Sequence, residues 1–214
     1  MDYSVTDLVA EVRVALDLNC VDAQLISDND RDTLLIDRLI ESKLPHAARI
    51  VETAAPAHLL DSGKAFGASI GWPADVGVGY GIIHLPDDFM RLVCFQMSDW
   101  CRPVTEAITE ESPLYDLQRG SVASLRGNPE NPVVAITKQP VGLVLEFYSC
   151  TQGSSVTLRR ARYIPVPRIV SGGINLCEKL KGAVVHYCAH LVADATQHFE
   201  QSAALLKVSQ SLMQ

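Results

Sequence analysis

Apolar positions return at helical spacing over three stretches of this chain, and at strand spacing over the segment that separates the second stretch from the third. The strongest pattern comes last. Residues 174–213 contain no proline and one glycine, Gly182, while Cys177, Leu180, Val184, Cys188, Leu191, Ala195, Phe199, Leu206 and Met213 recur at steps of mostly three or four. That spacing places them on one side of a 3.6-residue helix, and His186, His190, Asp194, Gln197 and Gln201 form a second, polar stripe. Gly172 and Gly173 break whatever precedes, and Asn175 with Glu178 three residues on predicts an N-cap with a capping box. Unbroken, the helix would be roughly 60 Å long at about 1.5 Å per residue, more than the width of a domain this size. It therefore either breaks near 198–203 or projects to meet something else.

The same spacing predicts a first helix over 4–17, capped by Ser4, with Asp7 at its positive end and Val5, Leu8, Val9, Val12 and Leu16 on its apolar face. Residues 19–30 end in the turn-like SDND and read as a connection. A second helix starts near Asp32 or Thr33 and buries Ile36, Leu39, Ile40, Leu44, Ala47, Ile50 and Val51. Pro45 falls inside it and predicts a kink or a restart at Leu44. Beyond it, Pro56 opens a short turn and Gly63 closes it. At 67–81, GASIGWPADVGVGYG, the composition shifts to glycine, proline and small residues, a boundary between a helical opening and a β-rich middle. Its GVGYG invites a phosphate-loop reading, but the chain then enters the strand-like IIHLP rather than a helix, so a hairpin or loop fits better.

From 82 to 165 the pattern is that of strands: IIHLP, FMRLVCFQM, PVTEAI, VVAITK, LVLEFYS and SVTLRRARYIP, divided by turn chemistry such as QPVG and TQGSS. A long insert, TEESPLYDLQRGSVASLRGNPENP, carries a helical turn at 113–118 and then an extended loop. The proline-stiffened YIPVPRI delivers the chain into the last helix. The expected class is α+β: N-terminal helices over 1–66, an antiparallel β meander inserted over 67–170, and a long C-terminal helix over 171–214 that completes the bundle.

Composition narrows the function. A hydrophobic fraction of 48% with 20% charged residues excludes disorder. No apolar run approaches the roughly 20 residues that span a bilayer, and the acidic N-terminal segment is not a signal peptide, so synthesis and folding in a cytosol are expected. The net charge of −7 argues against a general nucleic-acid binder. It is compatible with an acidic wall past which DNA slides without sticking. Six cysteines are scattered, without Cys-x-x-Cys or zinc-finger spacing, and read as buried thiols.

Candidate chemistry is thin. His186 and His190 lie four apart on one helix face with Asp194 a turn on, a spacing that could hold zinc, but the intervening Tyr187, Cys188 and Ala189 supply no acid. Cys94 or Cys101 with His84 could form a nucleophile–base pair, without the local signature of a cysteine hydrolase or a Gly-x-Ser-x-Gly elbow. Three basic groups remain: Arg102 after Trp100, Arg119 and Arg126 in the long insert, and Arg159, Arg160 and Arg162 in the last strand. Strand alternation sends Leu158, Arg160 and Arg162 one way and Arg159 and Ala161 the other. Two arginines on one face suit an acidic partner or phosphate, or simply block edge-to-edge strand pairing.

The segments IIHLPDDFMRLVCFQMSDWCRPV, YDLQRGSVASLRGNPENPVVAI, LVLEFYSC and YIPVPRI with INLCEKLKGAVVHYCAHL resemble the head–tail adaptor, or connector, proteins that sit beneath the portal of tailed bacteriophages. The resemblance covers roughly half the chain, with its N-terminal helices alike in character only. It rests on the Pro86–Asp87–Asp88 turn, the Trp-Cys-Arg-Pro segment and the Arg-Gly-Asn-Pro loop. It implies a non-enzymatic virion protein, made in the bacterial host cytoplasm, that assembles with itself in a ring of usually twelve copies. Such a ring joins the portal to the next tail or nozzle protein, leaves a channel for DNA without sequence-specific binding, and needs no membrane, metal or cofactor. The partner-facing residues expected on this reading are Arg102, Arg119, Arg126, Arg160, Arg162, Leu206, Leu212 and Met213. The competing readings are a metal- or cysteine-dependent hydrolase and a prophage-encoded protein-interaction module.

Overall fold

The computed structural model of the chain describes residues 1–16, 31–67, 69–73, 80–120, 122–150 and 155–214, with the backbone alone at 31–34, 119 and 123. The connection over 19–30, the glycines at 77 and 79 and most of TQGSS lie outside the described residues. The fold is mixed α and β and divides into two compact units. One comprises Met1–Asp61 with Val166–Gln214, and the other is Ser62–Pro165. The β unit is thus an insertion that begins before Gly67 and ends before Ile169.

The first unit opens with β1 (Asp2–Ser4) and α1 (Val5–Ala15). The Ser4 hydroxyl accepts the Asp7 N–H at 3.5 Å, and Val5, Leu8, Val9, Val12 and Leu16 are buried as their spacing requires. Helix α2 (Arg31–Ala54) runs unbroken through Pro45, so the expected restart at Leu44 does not occur. The proline forfeits one N–H bond, while Ile40, Leu44, Ala47, Ala48 and Val51 around it are all fully buried and hold the helix in place. Pro56 then precedes a single 3₁₀ turn, Ala57–Leu59.

The C-terminal part departs from expectation at both ends of its helical pattern. Strands β9 (Ile169–Val170) and β10 (Gly173–Asn175) form a hairpin around Ser171 and Gly172, whose φ values of 52° and 77° are the positive angles a type I′ turn needs. Strand β10 also pairs with β1, so a small sheet of order β1-β10-β9 joins the two ends of the chain. Asn175 is therefore a strand residue, and its amide donates to Asp2 at 2.8 Å instead of capping a helix. A 3₁₀ turn over Glu178–Leu180 leads into α4 (Lys181–Ala195), which packs against α1 and α2.

The long helix does not exist as one rod. It ends at Ala195, and α5 (Phe199–Ser211) folds back along α4 as an antiparallel partner. The Ser209 hydroxyl donates to the Ala183 carbonyl at 2.8 Å, and His190 meets Ser202. The turn is a Schellman motif: His198 N–H bonds to Ala193 O at 2.9 Å, Gln197 N–H to Asp194 O at 3.1 Å, and Gln197 carries φ +65°. Of the two expected alternatives, a break near 198–203 or a projecting helix, the break occurs, a few residues early; glycine is the usual residue at the position of Gln197, so no local signal marked the stop.

The second unit is two sheets around one aromatic core, not a single meander. Its elements are β2 (Lys64–Ala65), β3 (Gly81–His84), β4 (Phe89–Met97), β5 (Ile108–Thr109), α3 (Pro113–Arg119), β6 (Val134–Gln139), β7 (Gly142–Phe147) and β8 (Leu158–Pro165). One sheet has the order β2-β8-β4 and the other β3-β7-β6-β5. Of the strand expected over PVTEAI only β5 forms, and it pairs parallel to β6; Val104 makes an isolated bridge to Phe95. Phe89, Leu92, Phe95, Met97, Ala161 and Tyr163 of the first sheet face Ile83, Val134, Leu145 and Phe147 of the second, with Trp100 closing the cluster. The Phe95 and Phe147 ring centroids are 5.4 Å apart. Gly63, with φ +66°, brings the chain so close to β8 that a Cβ there would stand 2.4 Å from the Tyr163 carbonyl oxygen.

Relieving the left-handed strain at Gln197 tests the hairpin directly. Gln197→Gly is expected to raise the unfolding free energy by about 1 kcal/mol, because glycine meets no Cβ penalty at positive φ. Urea denaturation reads this, and a drop of similar size, as for a glycine in a helix interior, would mean that the chain is continuous through residue 197.

Candidate functional site

The arginines of β8 gather into an exposed basic face of the β unit. In the β4–β8 ladder Gln96 opposes Arg160 while Met97 opposes Leu158, so Arg159 is an extra, unpaired residue. This bulge reverses the expected placement of Leu158, which turns to the core while Arg159 and Arg160 are both exposed. Arg162 opposes Cys94 and is exposed as well. All three arginines, with Ser62, Ala65, Val93 and Cys94, line an open hollow of about 560 Å³. Arg162 Nη1 reaches the Ser62 and Gly63 carbonyls at 3.4 and 3.3 Å, which fixes the guanidinium at the rim without neutralising it.

The other predicted arginines are apart from this face. Arg102 is exposed and donates to the Asn131 side chain at 2.8 Å. Arg126 spends its guanidinium on the chain's own loop: Nε donates to the Gly120 carbonyl at 2.8 Å, and Nη2 bonds the same oxygen. Gln118 then accepts the Gly127 N–H at 2.6 Å, so α3 and the Arg-Gly-Asn-Pro segment are laced together. The side chain of Arg119 lies outside the described residues. On α5, Leu206 and Met213 are half-buried and Leu212 is 45% exposed. The Leu212 side chain lies beside Gly182 at the start of α4, so these residues fold back rather than reach outward.

The histidine stripe is used within the helical hairpin. His186 Nδ1 donates to the Gly182 carbonyl at 2.8 Å, and His190 Nδ1 is 2.8 Å from Ser202 Oγ and 3.0 Å from its carbonyl. Asp194 is exposed. Among the described residues no group of three or more His, Cys, Asp or Glu is placed to hold a metal ion. His84 lies on β3 and Cys94 on β4, in different sheets. The described cysteines are free thiols, and burial pushes Cys150, Cys177 and Cys188 up to about 12, far from the thiolate a nucleophile needs at neutral pH.

Three buried or half-buried acids were given no site role by the sequence, although Asp88 is part of the Pro86–Asp87–Asp88 turn. Glu146 on β7 is 1% exposed and accepts from the hydroxyls of Tyr115 at 3.0 Å, Thr137 at 3.2 Å and Tyr148. The signal was an acid inside the apolar run LVLEFYS with a tyrosine two residues on, the same-face spacing in a strand. Asp88 takes the Tyr163 hydroxyl at 2.6 Å and Lys64 at 3.2 Å, and the Tyr163 bond in the first place lowers its carboxyl below the usual range. Glu52 on α2, 1% exposed, accepts the Cys177 N–H at 2.7 Å and fixes the chain at the entry to α4. No protein-family model matches this chain, and no curated protein matches it.

Burial is the main cause that raises the Glu52 carboxyl above its ordinary 4.5, with the Cys177 bonds opposing it. A carboxyl raised by folding favours the native state while it is protonated. That advantage is complete below the unfolded value and lost as pH rises through the folded one. Glu52→Gln keeps the acceptor for Cys177 and cannot ionise. Its stability relative to wild type is therefore expected to grow from about pH 4 to pH 7. Urea midpoints across that range measure this, and parallel curves would refute it.

Proposed function

We propose that this chain is a non-enzymatic structural subunit of a tailed-phage virion, a head–tail adaptor that forms a ring between the portal and the next tail or nozzle protein. The observation that carries the reading is the interrupted architecture. A helical unit is completed only when the chain returns from the β insertion, entering and leaving it at 61/62 and 165/166. The family that the quoted segments resemble implies a helical bundle with a β insertion, and this arrangement agrees with it.

The surface of the β unit supports the same reading. Leu114, Leu125 and Val122 are each 52% exposed along the long insert, and Val141 is 72% exposed at the β6–β7 turn. Large apolar side chains left exposed on these loops are candidates to be covered when a neighbour packs against them. The insert is internally laced through Arg126 and Gln118, so it presents a fixed shape to such a neighbour. In this role the chain contributes surfaces, and DNA passes through the ring without being read.

Mass photometry and negative-stain electron microscopy of the purified chain, alone and mixed with a portal protein from the same genome, test the assignment. Cyclic oligomers, or a ring seated on portal, are expected. A stable monomer that never engages portal would overturn it.

A further inference from the structure

We infer that the arginine face of β8 is the docking surface for the acidic segment 103–118 of a second copy of this chain. The inference rests on the ring reading above and specifies which surfaces meet. The charges are segregated within one unit. Between residues 155 and 168 there are four arginines and no acid, and between 103 and 118 there are four acids, Glu106, Glu110, Glu111 and Asp116, and no lysine or arginine.

Both sets are exposed and, among the described residues, lack an oppositely charged partner. Among the described residues, no carboxylate lies within 4.0 Å of Arg159, Arg160 or Arg162, and no lysine or arginine nitrogen lies that close to the four acids. Glu110 engages only the Lys138 N–H, at 3.1 Å. Like charges held together in this way repel one another within the subunit, and an oppositely charged surface removes that penalty. The guanidiniums surround a hollow, so carboxylates entering it meet planar donors from more than one side.

The two surfaces lie on opposite sides of the β unit. Ala161 and Tyr163 point into the shared core, which sends Arg160 and Arg162 outward from the first sheet. Leu145 and Phe147 point into the same core from the second sheet, so Glu146 lies on its far side, where Tyr115 of α3 binds it. Helix α3 therefore lies over the far face of the second sheet, and the acidic segment reaches it from the sheet edges, where Val104 bridges to Phe95 and Ile108–Thr109 pairs with β6. A contact that joins the front of one copy to the back of the next is heterologous, and it adds copies in one direction until a ring closes. An isologous dimer would set arginine against arginine.

Charge exchange tests this. Arg160→Glu with Arg162→Glu, and separately Glu106→Arg with Glu111→Arg, are expected to weaken self-association at least about tenfold. These side chains are exposed, so circular dichroism should stay that of wild type. Mixing the two variants recreates both contacts in alternation, and all four changes in one chain recreate them with reversed sign, so each should restore assembly in analytical ultracentrifugation. Wild-type association should also weaken as salt shortens the reach of charge from about 10 Å at 0.1 M to about 3 Å at 1 M. If wild type assembles and the variants assemble equally well, the ring stands and this contact falls. Loss of assembly that neither mixing nor the fourfold change restores overturns it too, as does an arginine variant that loses only binding to duplex DNA. A wild type that never assembles, alone or on portal, overturns the contact and the ring together.

Discussion

Helix α4 needs cover on several sides. Ala183, Val184, Val185, Cys188, Ala189, Val192 and Ala193 are all buried and are spread around well over half of its circumference. An apolar helix of that kind cannot rest on one neighbour. Helices α1 and α2 arrive from the other end of the chain, and the rest of the cover comes from α5, which must reverse direction to supply it. The Schellman turn at Gln197, the Ser209–Ala183 and Ser202–His190 contacts and the inward placement of Leu205 all follow from this one requirement. So does the β1-β10-β9 sheet, which brings the chain from its start to the entry of α4.

The inserted unit solves a different problem with a different core. Its two sheets share aromatic side chains, with Phe66, Phe89, Phe95, Trp100, Phe147 and Tyr163 in ring contact. Bulges in the β4–β8 ladder keep large residues inward where simple alternation would turn some of them out. Their by-product is a wider exposed basic face, since the bulge leaves Arg159 and Arg160 both outward. The outer side of the second sheet is organised instead around a buried carboxylate, Glu146, which accepts from Thr137 and Tyr148 and, through Tyr115, anchors α3. One unit thus offers a basic exterior and an acidic one, held apart by the core.

The chain combines a helical unit that completes itself across the insertion with a β unit that carries exposed apolar and charged side chains. Arg126 illustrates the division. Its charge invites a partner role, yet it bonds the Gly120 carbonyl and serves the shape of the loop. Among the arginines of β8, Arg162 also reaches backbone carbonyls, those of Ser62 and Gly63, but at 3.4 and 3.3 Å and from an exposed position.

The sequence by itself determined the local elements and their apolar faces. Ser4 with Val5, Leu8, Val9 and Val12 specified α1, and QPVG specified the β6–β7 turn, because caps, periodicity and turn chemistry act over a few residues. It also determined the mixed class and the interruption of the helical part by strands. Tertiary structure decided what depends on residues far apart. Asn175 became a strand residue because Asp2–Ser4 lies beside it, and Pro45 stayed within α2 because its neighbours are buried. The last helix split at a glutamine because packing α5 on α4 outweighs the strain of a positive φ, an energy that no local pattern contains. The site follows the same rule: arginines are visible in a sequence, but a bulge that gathers three of them opposite an acidic face exists only once the strands have paired.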